Sequence, residues 1–211
     1  MKTMKKPTMN INTSTSPLIR RADEDESTGS GVSVLHDHVY FYSPITPESA
    51  MELNRILQDL SMKLAPTAFT SMQEIGSPSP IWLHINSYGG EVFSSFAIAD
   101  TIERISQVVP VVTIVEGCAA SGATFMSVAG TKRLMRKNGF MLVHELSTGS
   151  WGRFTELQDN MTSNSEIMKT IKAWYKEKTK IPDTEMDKIL AHDVWWNAKK
   201  CLKYGLIDAI I

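Results

Sequence analysis

Short apolar runs that end in polar turns alternate along this chain with stretches of helical pattern. From Val32 the pattern tightens, and Val39-Tyr40-Phe41-Tyr42 reads as a first strand. Thr46-Pro47-Glu48 supplies an N-cap with proline at the first helical position, which predicts a helix to about Leu60. Residues 65–80 form a loop rich in Ser, Thr and Pro, longer than an ordinary connection. A strand over 81–86, a helix over 92–106, a strand over 111–115 and a helix over 123–129 follow. This βαβα alternation predicts an α/β fold with a parallel sheet and crossover helices. Over 154–178, apolar residues fall at Leu157, Met161, Ile167, Met168, Ile171, Trp174 and Tyr175, with a polar gap at Asn164. That spacing predicts one long amphipathic helix. No internal repeat is visible.

Residues 1–30 differ from the rest. Lys2, Lys5 and Lys6 precede a Ser/Thr/Asn/Pro stretch, then Arg20-Arg21-Ala22-Asp23-Glu24-Asp25-Glu26 and a Ser/Thr/Gly run. The composition predicts a disordered tail, with a removable propeptide or an axial gate as the sharper readings. No apolar stretch there suits a signal peptide or a membrane span. Residues 31–211 then form one domain, and 211 residues suffice for a sizeable core. The net charge of −1 with no basic stripe argues against a nucleic-acid partner, and nothing points to a membrane. Two cysteines, Cys118 and Cys201, make no disulfide framework and fit a reducing, cytoplasmic compartment.

Chemistry concentrates at three predicted strand ends. Val108 to Val115 leads into Gly117-Cys118-Ala119-Ala120-Ser121-Gly122-Ala123, which reads as strand, tight turn and helix start. A serine there has an exposed hydroxyl with backbone N–H groups nearby, as a nucleophile needs. The bland alternative is a small-residue helix start in a tight core. Cys118 could pass for a nucleophile, but the run favours Ser121 at the turn and Cys118 as a small buried residue. Ile81 to Asn86 ends in Ser87-Tyr88-Gly89-Gly90-Glu91, whose glycine N–H groups suit a negative oxygen. Gly139 to Val143 ends in His144, a candidate base. In an open α/β sheet ligands collect at the carboxyl ends of strands, so oxyanion donor, nucleophile and base could share one crevice. A carboxylate is needed to orient the histidine. Asp193 is the best candidate, with Asp183, Asp187 and Asp208 in competition.

These motifs, in order, resemble the proteolytic subunit of the Clp ATP-dependent protease, the ClpP family of serine peptidases. Ile85-Asn86-Ser87-Tyr88-Gly89-Gly90 is similar to the family's I-N-S-P-G-G, and Gly117 to Ala123 to its nucleophile turn. Met141-Leu142-Val143-His144 resembles its histidine strand. Asp193 with Asn197-Ala198, and Tyr204 to Asp208, resemble its closing motifs. The resemblance spans about Val39 to Ile211. It implies a ClpP/crotonase-like fold whose long helix projects from a globular head and pairs two rings. It implies Ser121 as nucleophile, His144 as general base and acid, Asp193 as orienting carboxylate, and the N–H groups of Gly90 and Gly122 as oxyanion donors. Sevenfold rings stacked in pairs, a separate AAA+ unfoldase and unfolded polypeptide substrates are further implications.

The departures read as those of a divergent member, such as a phage or plasmid could carry. Tyr88 replaces a proline, Gly122 a methionine, Glu145-Leu146 a Gln-Pro pair, and Asn197 a serine or threonine. Glu145 could raise the pKa of His144 if the side chains meet. His36 and His38, flanking Asp37, read as a solvated turn rather than a metal site, and His84 and His192 as structural or surface residues. No metal and no cofactor is expected. The Walker signature is absent, so any ATP use belongs to a partner. The rival readings are a ring scaffold with little turnover and, more remotely, an acyl-CoA enzyme of crotonase architecture.

Overall fold

The two central strands, Ile81–Ser87 and Val111–Ala120, are largely buried, and each face of the sheet carries its own apolar cluster. The computed structural model describes residues 31–65 and 79–211; the predicted tail over 1–30 and nearly all of the loop over 65–80 lie outside them. In chain order the elements are β1 (Val32–Leu35), β2 (His38–Phe41), α1 (Pro47–Leu64), β3 (Ile81–Ser87), α2 (Val92–Ser106), β4 (Val111–Ala120) and α3 (Gly122–Val128). There follow β5 (Lys132–Met135), β6 (Phe140–Leu142), α4 (Phe154–Lys178), α5 (Asp183–Leu190), β7 (Trp195–Asn197), α6 (Ala198–Lys203) and β8 (Ala209–Ile210). The sheet runs β1-β2-β3-β4-β5-β8, with β6 and β7 branching from β4. The β2-β3, β3-β4, β4-β5, β4-β6 and β5-β8 pairs are parallel, as the βαβα pattern predicts.

Side chains on a strand point alternately to its two faces. Ile81, Leu83 and Ile85 of β3 join Val111, Val115 and Ala119 of β4 in the main core, together with residues of α1, α2 and α3. The opposite face carries a small apolar cluster of Trp82, Val112, Ile114 and Leu134. Beside it lies a polar network. His38 Nδ1 is 2.8 Å from His84 Nε2, and His84 Nδ1 is 3.0 Å from Glu116 Oε1. Tyr42 and Arg136 also donate to the Glu116 carboxylate. Burial pushes that carboxyl up, but the bonds from Tyr42, His84 and Arg136 outweigh it and hold its pKa below the ordinary range. His38 therefore starts a strand and belongs to this network, while His36 alone occupies the turn, with φ 57°.

Three elements differ from the sequence pattern. β1 precedes the expected first strand and pairs antiparallel with β2; its residues are mostly exposed, so alternation is weak. β4 continues to Ala120 and changes partner, pairing with β5 through Val112–Val115 and with β6 through Cys118–Ala120. Soon after Asp193 comes β7, which the sequence pattern does not show because three residues are too few for a period. The predicted long helix is present as α4, but only Ile171 and Tyr175 along it are buried. Lys172 and Lys176 pair with Asp187 and Asp183 of α5, each at 2.5 Å, which anchors the C-terminal part. Residues 154–166 contain no buried side chain, and Phe154 and Met161 are more than two-thirds exposed.

Candidate active site

The fork in the sheet builds the site. Because β4 pairs with β6 at its carboxyl end, the Ser121 N–H donates to the Leu142 carbonyl at 2.9 Å. Ser121 itself adopts φ 52°, ψ −128°, between the last residue of β4 and the first of α3. Such backbone costs an L-residue about 1–3 kcal/mol and persists only where its surroundings dictate it. Here the Ser121 carbonyl accepts from the Thr124 N–H at 2.9 Å and from Thr124 Oγ1 at 2.6 Å. The turn thus lifts the serine out of the strand at the mouth of a helix, the geometry of a nucleophile elbow. A Cβ on Gly122 would lie 2.1 Å from Ser95 Oγ, so a larger residue after the serine would require the Ser95 side chain to move.

Gly89 and Gly90 pass against this turn. At Gly89 φ is 87°, and a Cβ there would stand 2.4 Å from the Ala120 carbonyl oxygen. A Cβ on Gly90 would lie 2.0 Å from the Ile45 carbonyl oxygen. Ile45 clamps the segment from behind: its N–H donates to the Gly89 carbonyl, and its carbonyl accepts from the Glu91 N–H, both at 2.9 Å. A Cβ on Gly122 would be 3.6 Å from the Gly90 nitrogen, which puts the two glycine amides side by side. Neither N–H finds an acceptor among the described residues. The next carboxylate, Glu91, caps α2 by accepting from the Phe93 and Ser94 N–H groups at 3.0 and 2.6 Å. Burial raises its pKa, but the bonds from Ser94 and Phe93 bring it below the ordinary carboxylate range.

His144 and Asp193 meet through the antiparallel pair β6-β7. Leu142 is opposite Trp195, so extending that register by two residues sets His144 against Asp193. His144 Nδ1 lies 3.3 Å from Asp193 Oδ1. The competing aspartates are committed elsewhere: Asp183 to Lys176, Asp187 to Lys172, and Asp208 to Arg133. Glu145, the expected perturber of His144, forms no ion pair with it among the described residues; its N–H donates to the Leu190 carbonyl at 2.8 Å. The Cys118 sulfur is turned to Asn86 and Ser87, with its thiol pushed up by burial.

Ser121, Gly90, Gly122 and His144 line one cavity of about 760 Å³, and Asp193 stands beside His144 without lining it. Much of its wall is apolar, with Phe125, Ile167, Ile171 and Tyr175 among the contributors. Three of these belong to α4, whose part in the site the helical spacing alone did not reveal. No hydrogen bond joins the Ser121 hydroxyl to the imidazole among the described residues. No group of three or more His, Cys, Asp or Glu among them is arranged to hold a metal, and no described helix is long and apolar enough to cross a membrane.

The family model described as Clp protease matches residues 37–211. The chain is 32% identical over 181 residues to ATP-dependent Clp protease proteolytic subunit 1 of Chlamydia muridarum, covering 82% of this chain and 85% of that protein. It is also 32% identical over 141 residues to proteolytic subunit 2 of Treponema denticola, covering 66% and 70%. A point mutant of ClpP1 from Listeria monocytogenes superposes with a TM-score of 0.70 at 22% identity, over 83% of this chain and 91% of that one. The family model over most of the chain and the relatives at 32% identity leave one assignment: the chain belongs to the Clp protease family.

Proposed function

We propose that this chain is a serine endopeptidase that cleaves unfolded polypeptides inside a ring-shaped chamber through an acyl-enzyme. The observation that carries the reading is Ser121 on a strained turn in one cavity with His144 and two unpaired glycine amides. The Ser121 hydroxyl attacks the scissile carbonyl carbon while the free imidazole nitrogen of His144 takes its proton. Asp193, beside Nδ1, selects the tautomer and stabilises the imidazolium. The carbonyl oxygen gains negative charge and is held by the Gly90 and Gly122 N–H groups. His144 returns the proton to the leaving amine, and water releases the acyl group by the same steps in reverse order. The open Ser121–His144 pair is ordinary for an unliganded site, where catalytic hydrogen bonds tighten once substrate binds.

The apolar wall and its volume suit an extended peptide with a hydrophobic side chain. The exposed outer part of α4 supports assembly: a helical segment with no buried face is marginal in water. A second copy, within paired sevenfold rings, is the partner in this reading. An AAA+ unfoldase supplies ATP-driven unfolding, and the chain itself uses no cofactor or metal. A fluorophosphonate probe tests the chemistry. Labelling should fall on Ser121 and vanish in Ser121→Ala, together with peptide hydrolysis, while the fold remains. Wild-type hydrolysis by Ser121→Ala would overturn the assignment, and no labelling of the native chain would favour a scaffold subunit.

A further inference from the structure

One buried hydroxyl near the cavity has no part in the chemistry above. Tyr175 of α4 is 1% exposed, and its hydroxyl lies 2.5 Å from Thr124 Oγ1. Thr124 Oγ1 is also 2.6 Å from the Ser121 carbonyl oxygen. A carbonyl can only accept, so the single hydroxyl proton of Thr124 points to Ser121. Thr124 must then accept from Tyr175, whose O–H is the donor. The direction of every proton in the chain Tyr175, Thr124, Ser121 is thereby determined.

The consequence falls on the next amide. The Ser121 carbonyl and the Gly122 N–H share one planar trans peptide, in which C=O and N–H point in opposite directions. Holding the carbonyl oxygen toward Thr124 and Tyr175 aims the Gly122 N–H the other way, beside the Gly90 nitrogen. The Ser121 N–H is tied separately to Leu142, so the peptides on both sides of the nucleophile are held. Burial also raises the Tyr175 phenol, which keeps it a neutral donor.

We infer that Tyr175 is a positioning residue: through Thr124 it locks the Ser121–Gly122 peptide so that the Gly122 N–H faces the oxyanion. This inference rests on the serine-peptidase reading above. A donor aimed at charge that develops only in the transition state changes kcat and leaves ground-state binding alone. The Tyr175 ring helps to line the cavity, but its hydroxyl acts on the oxyanion only through Thr124 and Ser121, so loss of the hydroxyl should matter less than loss of the donor itself.

The test uses the full chain, a short fluorogenic peptide and a peptide aldehyde, whose adduct with Ser121 places an oxyanion between the two amides. Tyr175→Phe keeps the ring and removes the hydroxyl. It should lower kcat about tenfold, less than the 10²–10³ of a lost oxyanion donor, with KM unchanged. Aldehyde affinity should weaken by the same factor. Thr124→Val should do at least as much, and Thr124→Ser, which keeps the hydroxyl, should restore both quantities to near the native values. Thermal melts accompany each variant, and the Thr124→Ser and Thr124→Val pair decides the matter if Tyr175→Phe does not fold. Native kcat and aldehyde affinity in Tyr175→Phe would overturn the inference, as would a Thr124→Ser no better than Thr124→Val. If the native chain neither hydrolyses peptide nor takes a fluorophosphonate on Ser121, the peptidase reading itself fails. An active native chain with an unaffected Tyr175→Phe removes only the positioning role.

Discussion

Around Ser121, residues from β6, α3, α4 and the loop after β3 converge on one turn. Leu142 holds its N–H, Thr124 and Tyr175 secure its carbonyl, and Gly89 packs against its Cβ. Along residues 154–166 of α4 the opposite holds. Support there is local: Arg153 pairs with Glu156 at 2.7 Å, and the hydroxyls of Thr162, Ser163 and Ser165 return to carbonyls four residues back. Such back-bonding does little for a helix and often bends it. The first region stores backbone strain because many contacts oppose its relaxation. The second leaves Phe154 and Met161 in water, where contacts from outside the chain can still be made. One region is completed within the fold, and the other is left exposed by it.

Breaking the completed region should cost most. Asp193→Asn leaves Ser121 and the amides in place but removes the charge beside His144, and turnover should fall by roughly 10³–10⁴, read from kcat on a short peptide. Gly90→Ala forces a methyl group against the Ile45 carbonyl. It should displace one oxyanion donor and lower kcat about 10²–10³-fold, measured in the same assay.

The two halves of α4 should separate cleanly in a stability measurement. Ile171 is buried against the head, so Ile171→Ala should cost about 2–5 kcal/mol in chemical denaturation. Met161→Ala should cost under about 0.5 kcal/mol of protomer stability. Replacing Phe154 and Met161 together with aspartate should instead reduce particle mass in native mass spectrometry. Full-size particles from that double variant would show that this stretch of α4 is not the covered face. Ile171 and Trp174, although part of the same apolar stripe, are unsuitable for this purpose because both pack on the head.

A small effect that depends on pH is expected on the far face of the sheet. Glu116 is held below its ordinary pKa in the folded chain by Tyr42, His84 and Arg136, against the upward push of burial. Its stabilising contribution is therefore complete above the unfolded pKa and is lost as pH falls through the lower, folded value. Glu116→Gln should flatten the acid limb of a melting-temperature profile below about pH 4.5, by no more than about 1 kcal/mol.

Much of this molecule was legible along the chain because short-range rules sufficed. A short apolar run marked β3, and helical spacing marked α2 and α4, to within a residue or two. Thr46-Pro47 marked the start of α1, and small residues at the ends of β3 and β4 marked the turns. Local pattern could nominate Ser121, His144 and the glycines because each closes an apolar strand. It could not choose among four aspartates. That choice came from the antiparallel register of β6 and β7, which sets His144 opposite Asp193 across some 50 residues of chain, while lysines and an arginine occupy the rivals. Nor could it reveal that His38, His84 and Glu116 form one network, or that Tyr175 reaches the nucleophile turn, since those contacts join distant segments. Amino-acid pattern alone determined the elements and the strand ends where chemistry could lie. Tertiary structure decided which side chains share a cavity, because pairing register and crossover geometry, rather than local preference, bring distant residues within hydrogen-bond reach.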